Sequence, residues 1–290
     1  MNLDLFEKWA NDAKPARRRV KIKKPGVVTR PLHPNAGITV EYARSLRKMI
    51  DMMHKSVMFW IARAYRAEPP KMAMDASSTA SFIAALRKMF SRWTTRINEA
   101  APRLADYFSQ SVHKRSKAQL TKILKQSGMT VQFEMTPAMR EILGATVQAN
   151  VSLIKSIPTK YLAEVEGAVM RAVQTGNSLK TLTDDIQKIY HKDRKRAAFI
   201  ARDQSSKATA AFTRARQIEA GIKEAVWLHG GAGKHPRPTH LAAGKAKVRY
   251  KVDEGWFDPD AEGEGKGRHI FPGELINCRC VSKSVVPGFS

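Results

Sequence analysis

The chain has 290 residues and carries 51 Lys and Arg against 26 Asp and Glu, a formal net charge of +25. Hydrophobic residues make up 43%, which sustains a packed core and excludes wholesale disorder, and at about 150 residues per domain the length suits roughly two domains. No apolar run reaches the about 18 residues of a membrane span, two cysteines exclude a disulfide scaffold, and the opening MNLDLFEKWA has acids where a secretory signal has bases.

The charge is unevenly spread. Residues 1–130 hold 26 bases and 9 acids (+17), residues 131–250 hold 20 and 10 (+10), and residues 251–290 hold 5 and 7 (−2). A chain this basic repels itself unless a polyanion is near. Nucleic acid is the commonest such partner, an acidic protein surface the next, and an anionic membrane surface a third.

In chain order, residues 1–36 read as a basic flexible arm. Lys14, Arg17, Arg18, Arg19, Lys21, Lys23 and Lys24 place seven bases in eleven positions, broken by Pro15 and Pro25. Such a block is either a solvated tail or an anchor on phosphates or an acidic subunit. Residues 37–130 read as a basic helical domain. Leu46, Met49, Ile50, Met53, Val57, Trp60 and Ile61 recur at steps of three and four, which predicts a helix from Tyr42 to Tyr65. A second helix is predicted from Ser78 to Ala100, ended by Pro102, and a third from Arg103 to Ser127, ended by Gly128. Their Met and aromatic stripes have the spacing of ordinary helix packing rather than of a ligand groove.

Residues 131–221 also read as helical. Thr136-Pro137 has the form of an N-cap followed by Pro at the first helical position, and Pro158 is expected to reset the chain. Ser178 opens a short helix carrying Leu182, Ile186 and Ile189. A long helix is predicted from Arg194 to Ala220, closed by Gly221. Beyond it, residues 222–290 read as a small loop-rich α+β unit with strands at 224–228, 247–252 and 278–281. The fold class is therefore mainly α, with helical N-terminal and middle regions and this C-terminal unit.

The C-terminal unit gathers six of the ten His and Cys residues. Cys278 and Cys280, one residue apart on an extended segment, point to one face. They are expected either to pack as small apolar groups near Trp227 and Trp256, the favoured reading, or to hold a structural zinc ion with His235 and His240. A metal-dependent nuclease using His235, His240 and Asn277, or another His/Cys-metal hydrolase in this unit, is the enzymatic alternative. The acids it would need, Asp253, Glu254, Asp258 and Asp260, have no spacing that clusters them. There is no GxxxxGK[ST] loop, no GxGxxG after a strand and no GxSxG elbow, so the reading is non-enzymatic with no required cofactor. No sequence-reading DNA module is present either, and any DNA contact is expected to be with phosphates.

Several motifs resemble a known family. They are Ile157-Pro158, Gly176-Asn177-Ser178, Ala201-Arg202-Asp203-Gln204, Gly221-Ile222 and Trp227, then Gly233 to His240, Pro272-Gly273-Glu274, and Asn277-Cys278-Arg279-Cys280. Together they are similar to phage head morphogenesis proteins of the Mu F-like minor head class. The likeness runs over about 140 residues. The resemblance implies a minor capsid protein, present in few copies in the virion, inside the head near the portal and in the host cytoplasm during assembly. It implies portal and other capsid proteins as partners, contact with packaged double-stranded DNA, and no firmly assigned active site.

Overall fold

The computed structural model describes residues 24–67, 76–231, 233, 235–263 and 265–288. Lys14, Arg17, Arg18, Arg19, Lys21 and Lys23 lie outside the described residues. Among the described residues the fold is mainly α: α1 (Ala36–Ala67), α2 (Ala76–Gln126), α3 (Pro137–Thr175), α4 (Leu179–Glu219) and the short α5 (Pro238–Lys245) accompany six strands.

The helices obey their stripes more than their prolines. α2 is continuous through Pro102 and α3 through Pro158, where the sequence predicts breaks. An interior proline removes a helical hydrogen bond and costs about 3 kcal/mol. The buried series Ile97, Ala101, Ala105 passes across Pro102, and Ile154, Ile157, Tyr161, Val165 passes across Pro158. Burial of these faces outweighs the local penalty. For the same reason the short helix after Ser178 and the long one after Arg194 are a single helix, α4, with Ser178 Oγ accepting the Thr181 N–H at 3.2 Å. Gly128, Gly176 and Gly221 all take positive φ after a helix end, as the C-cap reading requires.

The chain divides into two compact units, and each is assembled from separated stretches rather than from consecutive domains. One unit comprises residues 40–107 and 147–201, and its described part is helical except for the turn at residues 176–178. Leu46, Ile50, Met53, Val57 and Ile61 form its buried α1 face, while Trp60, grouped with them by spacing, is 41% exposed. Several polar groups inside this unit are paired. The Tyr42 hydroxyl donates to Asn150 Oδ1 at 2.9 Å. His54 bonds Gln187 Oε1 through Nε2 at 3.0 Å, so its Nδ1 accepts from the Tyr161 hydroxyl at 2.9 Å. Burial pushes both phenols well above their ordinary range.

The described part of the other unit falls within residues 24–39, 108–146 and 202–288. Its four-stranded antiparallel sheet has the order β1-β6-β2-β3, and β4 pairs with β5 in a second sheet. The strands are β1 (Lys24–Val28), β2 (Glu224–Leu228), β3 (Arg249–Lys251), β4 (Trp256–Asp258), β5 (Arg268–Ile270) and β6 (Val281–Gly288). Thus residues 24–36 of the stretch read as an arm are structured. The β-branched Val27 and Val28 pair with Val286 and Val285 of β6, and Leu32 is buried. Asn35 Oδ1 caps α1 by accepting the Ile38 N–H at 3.0 Å.

A buried arginine ties the helical parts of this unit together. Arg216, 1% exposed, donates to Ser116 Oγ at 2.8 Å and to the His113 carbonyl at 3.0 Å, and lies 3.1 Å from His113 Nδ1. Burial and the Arg216 charge lower the His113 pKa to about 4, so the imidazole stays neutral and accepts from the guanidinium. A depressed folded-state pKa gives stability that is full above the unfolded value near 6.5 and lost as pH falls toward about 4. Between pH 7 and pH 5 the loss should be on the order of 1–2 kcal/mol. Urea midpoints at the two pH values check this, and His113→Asn should flatten the difference.

Candidate functional site

The C-terminal unit buries a compact thiol–imidazole–carboxylate cluster. His240 comes from α5, which starts at Pro238 in the first turn, where a missing N–H costs nothing. Cys278 and Cys280 come from the segment just before β6, not from within a strand as predicted. His240 Nδ1 lies 3.5 Å from Cys278 Sγ and 3.7 Å from Cys280 Sγ. The three ligand atoms fall within 4.8 Å of one another, and all three residues are buried. His240 Nε2 is 3.1 Å from Asp258 Oδ2. Asp258 is fully buried on β4, and its other oxygen accepts the Asp260 N–H at 3.1 Å.

Aromatic rings wall the cluster. Trp227 of β2 meets His240 edge-on at 5.0 Å between centroids and Trp256 at 5.1 Å. The expected packing of both thiols near these tryptophans and the expected meeting of His240 with the thiols therefore occur at one place. The two cysteines differ in charge tendency. Hydrogen bonding from the Cys280 thiol holds Cys278 well below the usual thiol range. Donation to Cys278, together with burial, pushes Cys280 up.

The cysteine segment is held by residues of the family-like motifs. Asp203 on α4 accepts the Asn277 N–H at 2.6 Å, and Asn277 takes a left-handed φ of 60°. Glu274 accepts the Phe271 N–H at 2.9 Å and pairs with Arg268 at 2.8 Å. Gly230 is required by close approach, since a Cβ there would stand 2.1 Å from the Arg279 carbonyl oxygen. Beside the cluster lies a cleft of about 260 Å³, lined by His229, His235, Arg237 and Asn277 together with the three buried residues.

Of the four residues predicted as metal ligands, His240, Cys278 and Cys280 come together. His235 is exposed at the cleft and is not part of the buried group. Of the predicted phosphate-contacting residues only Lys24 is described, at the start of β1. Asp258 is the residue of the cluster that the sequence does not single out. Its sequence neighbours Asp253, Glu254 and Asp260 are all exposed. A signal existed in Trp256-Phe257-Asp258, where alternation places the acid on the same inward side as Trp256.

A mainly helical chain with a C-terminal unit of small antiparallel sheets around buried Cys, Cys, His and Asp is the class that fold and cluster define. Residues 163–283 match the family described as Phage Mu protein F like protein, so this part of the chain is similar to that family, in agreement with the resemblance carried by its motifs. A protein of Haemophilus influenzae described as an uncharacterized protein is 31% identical over 252 residues, 84% of this chain and 52% of that relative. The chain spans about half the length of the curated relative it matches. No solved structure matches.

Proposed function

We propose that this is a phage head morphogenesis protein, a minor capsid component that associates with the portal inside the head and touches packaged double-stranded DNA through phosphates. The observation that carries the reading is the Mu F-like match over residues 163–283, and the +25 charge supports the DNA part on independent grounds. A structural role, with no reaction of its own, accords with that family. The described surface offers a second basic region besides the arm. Lys114, Arg115, Lys117, Lys122 and Lys125 on α2 are all exposed, and no acid occurs between Asp106 and Glu134. At about 100° per residue these five positions fall within about 160° of the helix circumference, so they make one basic face.

The test is protein mass spectrometry on purified phage particles and on empty heads assembled without packaging. The chain is expected in both, at few copies per head, and cross-linked to the portal subunit. Absence from both kinds of particle would overturn the reading.

A further inference from the structure

We propose that His240 Nδ1, Cys278 Sγ and Cys280 Sγ form a three-ligand site for a soft divalent ion of the zinc class, with the fourth coordination position facing the cleft. The inference does not depend on the head-protein reading, since it uses only the buried cluster.

Three observations converge. First, the spacing fits. Metal–sulfur bonds of about 2.3 Å and metal–nitrogen bonds of about 2.0–2.1 Å at tetrahedral angles place N and S roughly 3.6 Å apart, and the two N···S distances are 3.5 and 3.7 Å. Second, the tautomer is fixed. Asp258, at 3.1 Å and fully buried, keeps a proton on His240 Nε2 and leaves the Nδ1 lone pair aimed at both sulfurs. A carboxylate behind a histidine is the usual second layer of a zinc site. Third, thiolate and imidazole together select zinc-like ions over Mg²⁺ or Ca²⁺, and the adjoining cleft of about 260 Å³ supplies both an entry path and room for water on the fourth position.

Such an ion would act as a staple. It would join α5 to the start of β6 across 38 and 40 residues of sequence, in a region whose short strands and long loops offer little regular hydrogen bonding of their own. This reverses the preference for simple packing. Packing explains burial of the two thiols, but it does not explain an imidazole lone pair locked toward them.

The experiment uses the full chain purified without chelator. Elemental analysis should find about one zinc per chain. After chelation and refilling with Co²⁺, the protein should show thiolate-to-cobalt charge transfer in the near ultraviolet and the intense visible bands of tetrahedral cobalt. Cys278→Ser and Cys280→Ser should each weaken the charge-transfer band, and the double substitution should abolish it. Asp258→Asn should lower metal affinity about 10- to 100-fold, whereas His235→Ala should keep one ion per chain. Should the cysteine variants fail to fold, the cobalt spectrum of the unsubstituted chain decides alone. A chain that is folded by circular dichroism, holds no zinc and gives no thiolate–cobalt band overturns the proposal. So does full metal stoichiometry in the folded double cysteine variant.

Discussion

Binding of the full chain to duplex DNA is expected to be independent of sequence and to weaken about 10³-fold or more as salt rises from about 50 mM to about 200 mM. Each phosphate neutralised by Lys or Arg releases condensed counterion, so log affinity falls with log salt by about 0.9 per contact. The arm bases Arg17, Arg18, Arg19, Lys21, Lys23 and Lys24, with the α2 face Lys114, Arg115, Lys117, Lys122 and Lys125, supply more than the about 6–10 contacts that such a loss implies. Replacing the five α2 bases by Ala should reduce the salt slope by up to about 4.5. The fold should hold, because all five side chains are exposed and no hydrogen bond or ion pair described above uses them. Fluorescence anisotropy with labelled duplexes of two unrelated sequences measures both slope and preference. An affinity flat in salt, or one that favours a particular sequence against competitor DNA, would refute phosphate-dominated binding.

Trp227→Ala is expected to destabilise the unit that contains it by about 3–5 kcal/mol. The indole is 1% exposed and packs against His240, Tyr250 and Trp256 at centroid distances of 5.0, 6.3 and 5.1 Å. Its neighbours in the core include Ile222, Val252, Ile270, Phe271 and both cysteines. These come from separate short strands and loops that cannot close together over the space the ring leaves, so the cavity should persist and its cost with it. Guanidinium unfolding followed by far-ultraviolet circular dichroism checks this. A loss under about 1 kcal/mol would mean that the core rests on other residues.

The local signals in the chain were strong where a single element could be read by itself. The three-and-four spacing of Leu46, Ile50, Met53 and Val57 gave α1 its buried face, and the run Glu224–Leu228 is a strand at those bounds. Gly128, Gly176 and Gly221 mark helix ends because positive φ is cheap for glycine alone. Pro102 and Pro158 misled for an equally physical reason, since a local penalty of a few kcal/mol is outweighed by a long buried face that only the tertiary partners reveal.

The candidate site divides in the same way. Composition and spacing were enough to bring Cys278, Cys280 and His240 under suspicion, because two thiols one residue apart share a face. They could not separate His240 from His235, five positions away, since nothing local states which imidazole turns inward. Nor could they single out Asp258 among four neighbouring acids. Those choices belong to the packing of α5, β4 and the segment before β6 around Trp227, where a carboxylate with no exposure persists by bonding His240. The sequence by itself determined the helical class, the basic charge, the Mu F-like motifs and the residue types of the cluster. The tertiary structure alone decided which of those residues meet and how the stretches of chain group into units, because burial and long-range pairing are set by parts of the chain far apart in sequence.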